Sequence, residues 1–223
     1  PLCHGMTSPD RRGRVLAPCV KAHICPPMIP LFRKRRRKPV FDAELAPETP
    51  VTVIGDIHGS DGLLERLLAR LAADSAPGQI VCVGDYVDRG ENSARVLDIL
   101  IAGQKLAPGK LVCLMGNHER MMLDFLDTPV QAGPRWMRHG GVQTVASFGL
   151  QPPSAGATDE DWLTLRDRLD SALGRTREDW LRALPLSWQS GNVAVVHAAA
   201  DPRIALADQS DRSLLWGHPE FET

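Results

Sequence analysis

Acidic, amide and imidazole side chains recur directly after short apolar runs of this sequence. The residues that follow the runs are Asp56, Asp85, Asn117 and His197, and His58 lies two positions after Asp56. Oxygen and imidazole donors together suit Mn²⁺, Fe or Zn²⁺ better than a thiolate site or an all-oxygen calcium site would. A carboxylate placed between two such ions can bridge them, and two ions about 3.5–4 Å apart promote phosphoester hydrolysis. The residue types therefore predict a centre for two divalent ions.

The elements that must bring these side chains together alternate along the chain. Apolar runs typical of buried strands are separated by helical periodicity, as in the leucines from Leu63 to Leu71. This alternation indicates parallel βαβ units, an α/β fold with a mainly parallel central sheet flanked by helices. Ligands of such sheets bind outside the carboxyl ends of the strands, so the polar residues should converge there. The predicted strands are Val51–Ile54, Gln79–Val83, Lys110–Met115 and Asn192–Val196, and a further helical region is predicted from Asp159 to Leu184.

Three motifs contain most of these residues. They are Gly55-Asp-Ile-His-Gly59, Gly84-Asp-Tyr-Val-Asp-Arg-Gly90 and Gly116-Asn-His-Glu119. In order and in spacing they resemble the signature motifs of the phosphoprotein phosphatase family, within the calcineurin-like metallophosphoesterases. The resemblance implies a four-layer α+β metallophosphoesterase fold over residues 51–221. Met115 precedes the third motif where eukaryotic members usually carry arginine, which favours the bacterial and phage branch.

The resemblance also implies a set of metal ligands. Asp56 and His58 would hold the first ion, Asp85 would bridge both ions, and Asn117 and His197 would hold the second. The two ions would be divalent, with Mn²⁺ expected first and Fe or Zn²⁺ as alternatives.

Further residues are implied in binding and catalysis. Arg89 would bind the phosphate together with Asn117, and a guanidinium suits bidentate contact with phosphate oxygens. His118 would protonate the leaving oxygen as a general acid, with Asp88 as its carboxylate partner. Glu119 is expected to support its neighbours or form an ion pair rather than to bind metal. Attack by activated water would be direct, without a covalent phospho-enzyme.

The end of the sequence departs from the family pattern. Leu214 to Phe221 resembles the family's Leu-Leu-Trp-x-Arg-x-x-Phe segment, but His218 stands at the arginine position. We expect His218 to contact the substrate; the alternatives are a metal ligand or a solvated loop histidine. No Gly-His-Thr motif follows His197. The catalytic domain is therefore expected to be truncated at its C-terminus.

Composition separates a leader from the catalytic body. Residues 33–38 are all basic, whereas residues 39–223 hold 16 basic and 26 acidic residues. We predict a disordered or non-native leader over residues 1–49, with Met28 as the natural start, and a catalytic domain over residues 50–223. The basic run is expected to be solvated; contact with RNA or anionic lipid is the alternative.

Charge and hydropathy also limit the partners. An acidic body binds nucleic acid poorly, and no apolar run reaches the ~20 residues of a membrane helix, so neither partner is expected. Five scattered cysteines argue against a disulfide framework and favour the cytoplasm. The tryptophans, Trp136 among them, are expected to pack in the interior. The oligomeric state is not predicted.

Three functions remain open at this point. The first is a metal-dependent serine/threonine protein phosphatase, acting on a phosphoprotein or a small phosphoester. The second is symmetrical hydrolysis of dinucleoside tetraphosphates. The third is an inactive, truncated binding module.

Overall fold

Three parallel strands lie side by side in the order β1-β2-β3. The computed structural model describes residues 43–73 and 78–221. In the register of the sheet, Cys82 lies beside Ile54 of one neighbour and beside Cys113 of the other. A helix joins each strand to the next, which confirms the predicted α/β class. The strands are β1 (Val51–Ile54), β2 (Gln79–Cys82) and β3 (Leu111–Cys113).

Helices cover one face of this sheet. Cys82 and Cys113 are buried in the same apolar cluster as Val96 and Leu100 of the second helix. In the first helix only Leu64 is buried, and Leu63 remains 61% exposed, so the buried stripe is narrower than the leucine spacing predicts. The helices are α1 (Asp61–Ala73), α2 (Ser93–Leu106), α3 (Asn117–Asp127), α4 (Pro129–Trp136), α5 (Val142–Ser147), α6 (Asp159–Arg182) and α7 (Asp211–Trp216), with a π-helical turn (Met137–Gly141) and a 3-10 turn (Leu206–Asp208).

The predicted helical region after residue 159 is present as α6, but it is not continuous. Gly174 has φ 73° and ψ 155°, which interrupts the helix and divides it into two segments. Because glycine lacks Cβ, it adopts this backbone conformation without the steric cost that other residues carry. The segments bury Leu165 and Leu169 before the break and Leu181 after it.

The fourth predicted strand belongs to a second sheet. β4 (Ser187–Ser190) and β5 (Val193–Val196) pair antiparallel as a hairpin. Only two residues connect them, and the first, Gly191, has φ 54°, a conformation that suits a tight hairpin turn. Val195 packs with Val81 and Leu114 in a separate apolar cluster, so the hairpin covers the other face of the parallel sheet.

The chain just before β1 contacts the turn of this hairpin. The amide of Ala46 donates to Asn192 Oδ1 at 2.7 Å, and Asn192 Nδ2 donates to the carbonyl of Glu44 at 2.8 Å. Glu44 and Ala46 lie inside the predicted leader. The basic run and Met28 lie outside the described residues, so the leader stays a prediction. Within the described ranges, no helix combines the length and the apolarity needed to cross a bilayer.

Candidate metal and phosphate site

Two imidazoles are held with one nitrogen facing the carboxyl ends of the strands. His58 Nδ1 donates to the carbonyl of Val87 at 2.8 Å, and His197 Nδ1 donates to the carbonyl of Val83 at 3.0 Å. These bonds fix the tautomer, so that each Nε2 is left with a lone pair for a ligand. Among the described residues, His58 Nε2 is the one buried side-chain nitrogen or oxygen without a hydrogen-bond partner.

The carboxylate of Asp85 lies between these imidazoles. Its Oδ2 is 3.6 Å from His58 Nε2, and its Oδ1 is 3.5 Å from His197 Nε2. Asp56 Oδ2 lies 3.7 Å from His58 Nε2 on the exposed side. Each oxygen of Asp85 thus faces a different histidine, as expected of a carboxylate that bridges two ions.

The donor atoms form two overlapping groups that could hold metal ions. One consists of His58, Asp85 and His118, and the other of Asp56, Asp85 and His197. In each group the ligand atoms lie within 4.8 Å of one another. The unpartnered His58 Nε2 and the nitrogen and oxygen donor set fit a divalent transition metal. These groups pair Asp56 with His197 rather than with the predicted His58, and they include His118, whose ring nitrogens also contact Asp88 and Arg89.

Asn117 lies beside this centre at the start of α3. Its Nδ2 donates to the carbonyl of Leu215 in α7 at 3.1 Å. The amide oxygen is the atom of this side chain that suits a divalent cation or a water ligand. The structure therefore places the predicted metal-binding residues at the same end of the fold.

Glu119 ties the ends of two strands together. Its fully buried carboxylate accepts hydrogen bonds from the amides of Asp85 and Tyr86 (both 2.7 Å), Val87 (3.2 Å) and Gly116 (2.9 Å). Burial raises the pKa of Glu119 to about 7, and the charge of Asp85 adds to the rise, while the backbone donors oppose it. Glu119 contacts the backbone around the ligands rather than the ligand atoms.

The loops that carry the site have an unusual backbone. Among the residues that the structure describes, four other than glycine have positive φ: His58 (42°), Asp85 (55°), Asp88 (71°) and Arg89 (65°). Each such residue costs of order 1–3 kcal/mol and persists only where the surrounding structure over-determines it. The bonds from Glu119 supply part of that constraint at Asp85.

A buried histidine and aspartate pair lies next to Asp85. His118 Nδ1 donates to Asp88 Oδ2 at 2.7 Å, and both side chains are buried. Asp88 also accepts from Trp136 Nε1 at 3.0 Å and from the Thr144 hydroxyl at 2.7 Å. Three donors therefore hold this carboxylate, and it in turn orients the imidazole of His118.

Opposing influences act on the pKa of His118. Burial is the largest single influence on the pKa of His118 and lowers it, but the hydrogen bond to Asp88 and the charges of Asp85 and Asp88 together raise the pKa above its ordinary value. A protonated imidazole is what a general acid requires. In the present arrangement Nε2 accepts from Arg89 Nη2 at 2.9 Å, so the imidazole is neutral, and Nε2 can carry a proton only after Arg89 moves away.

Arg89 is exposed at the edge of the site. Its side chain reaches His118, and its backbone N–H donates to the carbonyl of Gly140 at 3.2 Å. Gly140 has φ 112°, and a Cβ there would lie 2.7 Å from the Arg89 amide nitrogen. The π-helical turn therefore lies directly against Arg89, and only glycine fits at the contact.

The ring of His218 contacts a neighbouring loop. His218 Nε2 is 3.3 Å from Asp201 Oδ2, and Nδ1 accepts from the amide of Glu220 at 3.3 Å. Hydrogen bonds from Arg203 are the main influence that lowers the pKa of Asp201, to about 2, so this partner is ionised. Both ring nitrogens of His218 have partners outside the two metal groups. A role of His218 in substrate binding stays a prediction.

Sequence reasoning missed two residues that build the site. Trp136 was expected only to pack in the interior, yet it donates to Asp88, and Thr144 was not singled out. They lie 48 and 56 positions from Asp88 in the sequence. No local spacing signal connects residues at that separation.

The family profile of the calcineurin-like phosphoesterases matches residues 49–219. The chain belongs to this family. The parallel sheet, the polar residues at the strand ends and the buried His118 all lie within the matched region of this calcineurin-like phosphoesterase.

Relatives of this calcineurin-like phosphoesterase carry two kinds of name. A symmetrical bis(5'-nucleosyl)-tetraphosphatase of Acidovorax ebreus (strain TPSY) is 31% identical over 67% of this chain and 44% of its own length. A Schizosaccharomyces pombe protein, whose name assigns it provisionally to the serine/threonine-protein phosphatases, is 42% identical over 32% of this chain and 23% of its own. The chain thus spans less than half the length of these relatives.

Solved structures resemble this fold over a similar region. A protein serine/threonine phosphatase from Saccharomyces cerevisiae matches with a TM-score of 0.45 and 19% identity, over 73% of this chain and 42% of the other. A metallophosphoesterase from Sphaerobacter thermophilus matches with a TM-score of 0.38 and 18% identity, over 75% and 49%.

Proposed function

We propose that the protein is a metal-dependent phosphoester hydrolase whose substrates are phosphoserine and phosphothreonine side chains of proteins. The observation that carries the proposal is the position of Asp85, with one oxygen facing His58 and the other facing His197. Divalent ions at these groups would supply Lewis acidity, which activates water and withdraws charge from the phosphoryl oxygens.

The chain's own residues would complete the reaction. Arg89 would bind the phosphoryl oxygens, because its exposed guanidinium lies at the edge of the site. His118 would donate the proton on Nε2 to the leaving oxygen, since Asp88 holds its other nitrogen. Binding of phosphate by Arg89 would free Nε2 of His118 from its present partner.

Hydrolysis of dinucleoside tetraphosphates is the second candidate. The name of the Acidovorax ebreus relative, which matches two thirds of this chain, favours it. The long second motif and the Gly116-to-Glu119 motif favour the protein phosphatase, because they resemble that family in full.

Activity assays with three substrates test the proposal. The purified chain would be given nitrophenyl phosphate, a phosphoserine peptide and diadenosine tetraphosphate, each with Mn²⁺ and with chelator. We expect Mn²⁺-dependent hydrolysis of nitrophenyl phosphate and of the phosphopeptide, with Asp85→Asn as the inactive control. Preference for diadenosine tetraphosphate would replace the first candidate by the second. If none of the three substrates is hydrolysed, the inactive binding module remains as the third candidate function.

A further inference from the structure

A long stretch of the acidic body contains no acidic residue. Residues 128–158 hold no aspartate or glutamate, and we call them the acid-free segment. The segment comprises α4, the π-helical turn, α5 and the loop that follows. It carries Arg135, Arg138 and His139, which are all exposed. The segment therefore carries a net positive charge, whereas residues 39–223 as a whole are acidic.

Buried contacts fix the acid-free segment against the catalytic residues. Trp136 and Thr144 both donate to the carboxylate of Asp88. The carbonyl of Gly140 accepts from the amide of Arg89 at 3.2 Å. Arg135 and Arg138 lie one and two positions from these contacts. Their positive charge is consequently placed near the residues proposed to bind phosphate.

Arg135 is also held from the other side of the site. Its guanidinium carbon lies 5.8 Å from the ring centroid of Trp216 in α7. Trp216 directly follows Leu215, whose carbonyl accepts from Asn117. The contact between Arg135 and Trp216 therefore joins α4 to α7. In each helix the neighbouring residue, Trp136 or Leu215, hydrogen-bonds with a residue of the candidate site. Stacking on an aromatic face orients a guanidinium and leaves the N–H groups at its edge available to an anion.

In the described part of the chain, neither Arg135 nor Arg138 forms an ion pair with a carboxylate. Four of the five arginines of α6 are different, because Arg166, Arg175, Arg177 and Arg182 each pair with an aspartate or glutamate. The unpaired charges in the acid-free segment are available to a substrate.

We propose that Arg135 and Arg138 form a subsite for a second negatively charged group of the substrate, next to the phosphate that is hydrolysed. The inference rests on the proposed phosphoester hydrolysis and specifies which substrates the enzyme would prefer. The second group would be a carboxylate beside the phosphoserine of a peptide, or a further phosphate of a nucleotide. Complementary charge at the edge of a site selects among substrates and accelerates their encounter.

Matched phosphopeptides test the subsite. The same phosphoserine would be flanked by aspartates in one peptide and by lysines in the other, and kcat/KM would be measured with Mn²⁺. The native chain should favour the aspartate peptide. In the double variant Arg135→Ala/Arg138→Ala this selectivity should fall by about two- to tenfold, the range for losing two exposed charge contacts. The native selectivity should also shrink with added salt, because exposed charges are screened.

A control arginine and a conservative variant sharpen the test. Arg66 is exposed on α1, a helix outside the acid-free segment, so Arg66→Ala should keep the native selectivity. Arg135→Lys keeps the positive charge but loses the planar stacking on Trp216. Its selectivity for the aspartate peptide should therefore lie between that of the native chain and that of the double variant. Thermal unfolding of each variant would confirm that the fold is intact.

The outcomes distinguish the subsite from the function on which it rests. No Mn²⁺-dependent hydrolysis of nitrophenyl phosphate would overturn the proposed function. Hydrolysis with a selectivity that the double variant leaves unchanged, or that Arg66→Ala lowers equally, would overturn the subsite alone. If the double variant loses kcat/KM for diadenosine tetraphosphate but not for the aspartate peptide, the second anion is a phosphate of the nucleotide chain. If it loses kcat/KM for the aspartate peptide alone, the second anion is a carboxylate.

Discussion

Glu119 holds Asp85 through the backbone: Oε2 of the buried glutamate accepts the Asp85 amide at 2.7 Å. The same oxygen accepts the amide of Gly116 at 2.9 Å, so one carboxylate fixes the ends of β2 and β3 relative to each other. The other oxygen holds Tyr86 and Val87. Since the carbonyl of Val87 orients His58, the influence of Glu119 extends to two of the predicted metal ligands.

The first prediction concerns this carboxylate. Glu119→Gln should weaken Mn²⁺ binding and lower kcat, because an amide nitrogen would face backbone donors and leave at least one of them unsatisfied at about 1–3 kcal/mol. Leu123→Ala in the same helix is the matched control for lost stability, at about 2–5 kcal/mol, and should leave Mn²⁺ affinity unchanged. Isothermal titration with Mn²⁺ and thermal unfolding measure both effects. Equal Mn²⁺ affinity in the two variants would show that Glu119 serves stability alone.

The second prediction concerns the proposed bridge. Asp85→Asn should abolish turnover and lower the content of both ions, because an amide offers one oxygen where the carboxylate offers two. Metal analysis after dialysis and hydrolysis of nitrophenyl phosphate provide the measurements. Activity near the native level with Mn²⁺ would contradict the assignment of two ions to this residue.

The third prediction separates proton donation from binding. His118→Asn should lower kcat by about 10²–10⁴ on a phosphoserine peptide, as expected for a lost general acid. The defect should be smaller on nitrophenyl phosphate, whose leaving group needs less protonation. Equal defects on the two substrates would remove His118 from the acid role.

Arg89 should behave differently. Arg89→Ala should mainly raise KM and weaken inhibition by inorganic phosphate, with some loss of kcat, because the guanidinium is proposed to bind phosphoryl oxygens. Steady-state kinetics with phosphate as a competitive inhibitor test this. An unchanged inhibition constant for phosphate would place Arg89 outside the binding site.

The fourth prediction concerns a close approach between strand ends. A Cβ at Gly116 would clash with Asp85 Oδ1 and with the Asp85 amide nitrogen. Gly116→Ala should therefore displace Asp85, and a shift of about 1 Å can lower the rate on the order of 10²-fold. Gly62→Ala is the control, because nothing lies within 4 Å of its added Cβ, and in α1 it should stabilise the fold by up to about 1 kcal/mol. Native activity in Gly116→Ala would contradict the close approach.

The strand-end residues could be predicted from the sequence because the pattern that identifies them spans only a few adjacent residues. An apolar run followed by glycine and a polar residue predicts both a strand and the edge where its ligand lies. Asp56, Asp85 and Asn117 follow this rule, and the structure places them at the ends of β1, β2 and β3. His197 directly follows the apolar run of β5 without an intervening glycine, and β5 lies in the second sheet.

Other parts of the site depend on contacts that local patterns do not encode. Trp136 and Thr144 reach Asp88 because α4 and α5 pack over the strand ends, and that packing is set by buried surfaces far apart in the chain. Likewise, β5 pairs with β4 because of a two-residue turn, whereas apolar composition alone made it resemble a strand of the parallel sheet. The contact between His218 and Asp201 could not be predicted either, because the alignment of His218 with an arginine position says nothing about its neighbours in space.

The five residues from Val83 to Val87 anchor both halves of the centre. The carbonyl of Val83 holds His197, the carbonyl of Val87 holds His58, and Asp85 lies between them. The two halves are therefore not independently adjustable during evolution or engineering. We expect a backbone change in these five residues to alter both histidines together, whereas replacing Asp56 or Asn117 would leave both backbone contacts in place. Attempts to change the metal preference of a single half should begin at those two outer positions.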